Sequence, residues 1–207
     1  MSISDQWCSP PEIAAALWEF FHGPVGVDPC SNKRSVIRAR LSYMRGGLVL
    51  PWRSANPRSP RTVFENPPYS QGTEWARKAI AEMGCGNVCE LVRLTMFVTS
   101  AAWWRGVCLT PKRNPRILGL RRLAFIDPRP EARLNPTLLC AADLYLRDPE
   151  TERAGLAILE TAYRRRTKTD PDVQTCRFEP ALMYFGPRVR QFDRAFSHLT
   201  NWSTWGR

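Results

Sequence analysis

Apolar residues recur along this chain with two periods. Ile13, Leu17 and Phe20, with Phe21 beside them, stand at helical spacing, and Gly23 ends the run. Ser9-Pro10-Pro11-Glu12 ahead of them reads as a helix start, with Ser9 as N-cap, Pro10 as first helical residue and Glu12 closing a capping box. Val25–Asp28 reads as a short strand ending on an acid. Residues 51–60 read as a loop, broken by Pro57 and Ser59-Pro60. Thr62–Glu65 is another short buried strand. Residues 71–83 form an amphipathic pattern with Trp75, Ala79, Ile80 and Met83 on one face and Gly84 as the stop. Stretches 87–94, 138–146 and 182–185 read as buried strands, 152–165 and 189–199 as helices, and 164–175 as a polar loop. There is no internal repeat. Strands alternating with helices predict an α/β fold with a mostly parallel twisted sheet and helices on both faces.

A chain of 207 residues is expected to form one domain. Its catalytic core would span about 5–146, and 147–207 would complete the fold. The net charge of +11, from 30 basic and 19 acidic residues, points to a polyanionic partner. Only four of the basic residues are lysines, and the arginine fork suits phosphate. A GC-rich genome would also favour arginine over lysine, but not basic over acidic residues. Between 29 and 64 stand Lys33, Arg34, Arg38, Arg40, Arg45, Arg53, Arg58 and Arg61, with no Asp or Glu. Such a run is either a solvated face or a phosphate-contacting rim. The stretch 105–133 is also basic; there Arg121-Arg122 is a phosphate candidate, as is Arg164-Arg165-Arg166 further on.

Seven scattered cysteines, an odd count with no C-x-x-C pair, and only two histidines offer no zinc constellation. Reduced thiols in a cytoplasmic protein are the expectation. The first residues lack a basic-then-apolar leader, and no apolar run approaches membrane-spanning length.

The chemistry concentrates at Asn66-Pro67-Pro68-Tyr69. The amide oxygen of Asn66 and the carbonyl of Pro67 can each accept a hydrogen bond from an exocyclic amine. The prolines stiffen the turn, Pro67 holds Asn66 extended, and Tyr69 can stack on a planar base. The motif follows the strand Thr62–Glu65, at the carboxyl end where open α/β sheets bind ligands. A proline turn closing a strand is the plainer alternative. Asp28, at the end of its own strand, can accept from an amino or hydroxyl group of a cofactor. Ser9 is either a plain cap or a ligand contact, and Trp7 either stacks near a cofactor or packs. Phe97 is a second candidate wall for a flipped base, or a core residue.

These residues resemble a family. The Asn-Pro-Pro-Tyr turn is similar to the D/N/S-P-P-Y/F/W motif of amino-directed methyltransferases, whose Asn form is common among adenine-N6 enzymes. The wider chain resembles the small phage-type DNA N-6-adenine methyltransferases. Trp7-Cys8-Ser9-Pro10, Val27-Asp28-Pro29-Cys30-Ser31, Gly47-Leu48 with Trp52, the catalytic turn, Trp75, Thr99 with Trp103-Trp104, residues 120–125, and Met183-Tyr184-Phe185-Gly186 with Phe192 and Phe196 follow its block order. The resemblance is weakest across 147–180.

The resemblance implies a Rossmann-like fold, S-adenosylmethionine as cofactor, duplex DNA as partner and a flipped adenine as substrate. It implies catalytic roles for Asn66, Pro67, Pro68 and Tyr69 and cofactor contacts from Trp7, Ser9, Pro10, Asp28 and Pro29. Arg34, Arg38, Arg40, Arg45, Arg121 and Arg122 would meet nucleic acid, and no metal is implied. The chain departs from larger methyltransferases in having no G-x-G between residues 23 and 31 and no acid after a second strand. With no space for a large recognition domain, loops 31–62, 105–135 and 165–175 would read a short target. Cytosine N4 or an RNA base as acceptor stays open, as does a catalytically idle DNA-binding protein on the same scaffold. A protein glutamine amide fits poorly, because it would want a particular protein partner rather than a broadly basic face, and the sequence shows no extra N-terminal helical domain.

Overall fold

The computed structural model describes residues 8–108, 114–121, 123–126, 173–175 and 179–204. Helix α1 spans Pro11–Phe21, strand β1 Val25–Asp28 and strand β2 Ala39–Ser42. Strand β3 spans Thr62–Glu65, and a short turn at Tyr69–Gln71 leads into helix α2, Gly72–Gly84. Then come β4 (Glu90–Met96), a π-helical turn at Trp104–Cys108, β5 (Arg116–Leu120), β6 (Ala124–Ile126) and β7 (Val173–Thr175). Strand β8 (Pro180–Phe185), helix α3 (Val189–Phe196) and β9 (Thr200–Thr204) follow.

Seven strands form one sheet in the order β2-β1-β3-β4-β8-β5-β9, and β6 pairs with β7 in a separate ribbon. The pairings β1–β2, β1–β3 and β3–β4 are parallel. Those of β8 with β4 and β5, and of β9 with β5, are antiparallel. The expectation of a mostly parallel sheet therefore holds for strand direction but not for pairing. Strands β1 to β5 all point one way. Strand β8 enters reversed between β4 and β5, so it converts what would be one parallel contact into two antiparallel ones.

The layers follow from the period of two along each strand. Phe64, Val92, Leu118, Leu182 and Tyr184 face one way, where they meet Ile13, Leu17 and Phe20 of α1 and Phe192 and Phe196 of α3. Val63, Leu91, Ile117 and Met183 face the other way and meet Trp75 and Ala79 of α2 with Trp52 and Trp104. Helices thus cover both faces, as the pattern predicted.

The start of α1 is a correction. Pro10, not Ser9, is the N-cap, with φ −71° and ψ 156°, and no side chain caps the helix. The cause is Pro11: a residue before proline is driven out of the helical region, so Pro10 cannot be the first helical residue. Gly23 ends α1 as expected, with His22 in the left-handed region at φ 55°. The predicted strand 138–146 and helix 152–165 lie outside the described residues. Of the polar stretch 164–175, Val173–Thr175 is β7 rather than loop.

Candidate active site

Chain order reverses about β1. Strand β2 lies on one side of it and β3 on the other, so a crevice opens between the carboxyl ends of β1 and β3. Asp28 is the last residue of β1, and Asn66 follows the last residue of β3. Both line one cavity of about 620 Å³, together with Ser9, Pro29, Cys30, Tyr43, Gly47, Pro68 and Trp75.

Asp28 is buried, at 3 % exposure. Its carboxylate accepts the backbone N–H of Cys30 at 3.1 Å. Burial pushes its pKa up to about 7, against the pull of the Cys30 N–H and the Ser31 side chain. The thiol of Cys30 accepts the N–H of Asn66 at 3.2 Å, which joins the segment after β1 to the head of the Asn-Pro-Pro-Tyr turn. Burial pushes that thiol well up, and the Asp28 charge adds to the effect.

The turn is held from behind as well. Arg93 of β4 stands beside Glu65 in the parallel register. Its Nη1 donates to Glu65 Oε1 at 2.7 Å and its Nη2 to the Gly72 carbonyl at 3.1 Å. Residues 66–71 are thereby bracketed at both ends by one guanidinium, which lies 5.1 Å from the Trp103 ring centroid. Within the turn, the Gln71 N–H donates to the Pro68 carbonyl at 3.1 Å. Burial raises the Glu65 carboxyl, and Arg93 opposes it.

The far wall comes from the segment after β2. The Tyr43 N–H donates to the Asp28 carbonyl at 2.8 Å, and the Ser31 N–H to the Tyr43 carbonyl at 3.1 Å. Gly47 lies so close to the Pro29 carbonyl and the Trp75 ring that any Cβ there would overlap both. The Trp52 indole donates to the Gly47 carbonyl at 2.6 Å. Trp52 itself is fully buried and stacks on Trp75 with ring centroids 6.1 Å apart. Trp75 Nε1 is buried with no hydrogen-bond partner among the described residues.

The structure therefore gathers Ser9, Asp28, Pro29, Asn66 and Pro68 around one space. Pro67 is buried and Tyr69 half-buried in the adjoining turn, and neither lines the cavity. Pro10 caps α1 and does not line it either. Arg45, with Lys33, stands at its rim. Arg34 and Arg38 are half-buried in the segment that connects β1 to β2, and Arg40 is exposed on β2, an edge strand. Arg121 is exposed just past the carboxyl end of β5, three strands from β3. That places it on the same sheet edge as Asn66, about 14 Å across at normal strand spacing. Trp7 and Arg122 lie outside the described residues. Phe97 is half-buried and packs edge-on to Trp104 at 5.2 Å, against the hydrophobic core of the α2 face.

Cys30, Tyr43, Gly47 and Arg93 carry no sequence pattern that marks them as site residues by itself. A partial signal exists for Arg93: it is the lone cation inside the apolar run Leu91–Leu94, and Glu65 is the lone acid closing another. A buried cation of that kind calls for a partner. Among the described residues no cluster of His, Cys, Asp or Glu is placed to hold a metal ion. No helix among them is long and apolar enough to cross a membrane.

An α/β sheet with a cavity at its switch point and an Asn-Pro-Pro-Tyr turn on the rim is compatible with a methyltransferase fold. The sequence model of the DNA N-6-adenine-methyltransferase (Dam) family matches residues 1–167, and the chain belongs to that family. Membership implies a transferase that methylates adenine N6, with DNA as its substrate, and S-adenosylmethionine as the methyl source in general terms. No curated protein and no solved structure matches the chain.

Proposed function

We propose that this chain is an S-adenosylmethionine-dependent DNA methyltransferase acting on the N6 amine of an adenine extruded from the duplex, with 1–207 forming one Rossmann-like domain. One observation carries the reading: Asp28, the last residue of β1, and Asn66, just past the end of its parallel neighbour β3, open on one cavity at the switch point. A volume of about 620 Å³ lies within the range of cofactor sites. The lining suits the cofactor too. It offers a buried carboxylate, the hydroxyl of Ser9 and the apolar ring of Trp75, whose indole N–H has no partner among the described residues.

When bound, the cofactor supplies an activated methyl group on a sulfonium. The residues of the chain supply position. Asp28 accepts from a cofactor amino or hydroxyl group, with Ser9 and Pro29 on the same lining, and Pro10 and Trp7 are assigned to the cofactor by the sequence pattern alone. The Asn66 amide oxygen and the Pro67 carbonyl accept the two N6 hydrogens, which draws the amine towards tetrahedral geometry and localises its lone pair. Pro68 keeps the turn stiff, and Tyr69 stacks on the base. Arg34, Arg38, Arg40, Arg45, Arg121 and Arg122 meet phosphates.

The test is incubation with methyl-labelled S-adenosylmethionine and unmethylated DNA, followed by nucleoside analysis. Label in N6-methyladenine is expected. Label only in N4-methylcytosine would transfer the assignment to a cytosine enzyme. DNA binding without cofactor binding or transfer would leave an idle scaffold.

A further inference from the structure

The large hydrophobic side chains exposed among the described residues are Met44, Val49 and Leu50, at 56 %, 82 % and 42 %. All fall within one short segment after β2, and that segment forms the rim of the cavity through Met44 to Leu48. Water-exposed apolar side chains scattered singly need no explanation, but three grouped at the mouth of a site do.

The segment is built stiff. The N–H groups of Val49 and Leu50 both donate to the Gly46 carbonyl, at 2.9 and 2.8 Å. Gly46 takes φ 78°, a left-handed value that favours glycine. Gly47 is wedged against Pro29 and held by the Trp52 indole. The Trp52 N–H in turn donates to Glu82 of α2 at 3.0 Å. Val49 and Leu50 thus project from a turn fixed to the body of the protein at two points.

The surroundings choose the partner. Lys33 and Arg45 share the rim, Arg40 and Arg53 are exposed before and after the turn in the chain, and no acid occurs from 29 to 64. Cations flanking a rigid apolar tip suit a polyanion whose interior is apolar, which is stacked duplex DNA. We propose that the Val49-Leu50 turn is a wedge that enters the base stack and fills the gap left by an extruded base, while Arg40, Arg45 and Arg53 hold the flanking phosphates. This deepens the methyltransferase reading and rests on it for the identity of the extruded base.

A wedge pays for unstacking when it enters intact duplex, and that cost vanishes where a base is already missing. Binding to a duplex with one central abasic site is therefore compared with binding to the same duplex intact, and no catalysis is required. The wild-type protein should prefer the abasic duplex by about ten-fold or more. The double variant Val49→Ser/Leu50→Ser should lose most of that preference while keeping its affinity for S-adenosylhomocysteine. Equal binding of both duplexes by the wild type overturns the proposal, and this arm needs no variant. So does a variant that retains the preference, or one whose substitution dissociates a dimer in sedimentation, which would make a second copy the occupant. Methyl transfer measured alongside reports separately on the enzymatic reading.

Discussion

Glu65 and Arg93 are register partners on adjacent strands, and their side chains form an ion pair of 2.7 Å at 0 % and 1 % exposure. The pair sits directly behind the Asn-Pro-Pro-Tyr turn. A charge this deep is tolerable only while its partner is present. Arg93→Met is therefore expected to lower unfolding free energy by about 3–5 kcal/mol, read in urea denaturation. Replacing both residues with apolar ones should cost less than replacing Arg93 alone. Additive losses would show that the pair is not coupled.

Asn66→Ala is expected to abolish methyl transfer while leaving affinity for S-adenosylhomocysteine within about two-fold, because the side chain acts on the substrate amine. Activity within a few-fold of wild type would remove Asn66 from the mechanism. Asp28→Ala should do the opposite to binding and weaken the cofactor complex in titration calorimetry.

The pKa of Asp28 sets two pH dependences of opposite sign. Its carboxyl rises from 3.8 to about 7 on folding. The empty protein therefore holds a proton that the unfolded chain releases, and this group's contribution to stability is lost as pH rises through about 7. A cofactor group that donates to Asp28 needs the ionised form, so its affinity should climb between about pH 6 and pH 8. Asp28→Asn should flatten both profiles. Cofactor affinity that is flat with pH in the wild type would show that Asp28 does not meet the cofactor.

Binding to duplex DNA should weaken steeply with salt, through release of condensed counter-ions. Reversing charge at Arg38, Arg40 and Arg45 should reduce the log–log slope by about three. An affinity indifferent to salt would assign the basic composition to genome bias alone.

DNA from cells expressing the protein should carry N6-methyladenine at sites defined by a few base pairs. Sequencing that distinguishes modified bases decides this. A long, strictly defined site would show that the loops read more than their length suggests.

Much of this site is legible in the amino-acid sequence. Asp28 and Asn66 each follow a short apolar run, and both runs are strands whose carboxyl ends meet at the switch point. Contact between distant segments is what the sequence conceals. Nothing in Gly47 alone announces that Pro29 will press against it, and Cys30 gives no local sign of receiving the Asn66 N–H. Strand β2 is equally hard to see, because an edge strand with alternate residues exposed carries a weak apolar signal. The start of α1 departs from its capping pattern because two prolines in succession shift the cap by one residue.

The reversed strand β8 bears on how the molecule is made. Leu91 pairs with Phe185 and Met96 with Pro180, so the neighbour of β4 emerges from the ribosome about ninety residues after β4 itself. Until then β4, with Arg93 in its middle, has β3 on one side and an open edge on the other. Contacts so far apart in sequence slow folding, because loop closure must precede any reward from pairing. The support behind the catalytic turn should thus be among the last parts of the protein to set. A nascent chain stalled before residue 180 should be protease-sensitive at β4, even with α1, β1 and β3 already synthesised.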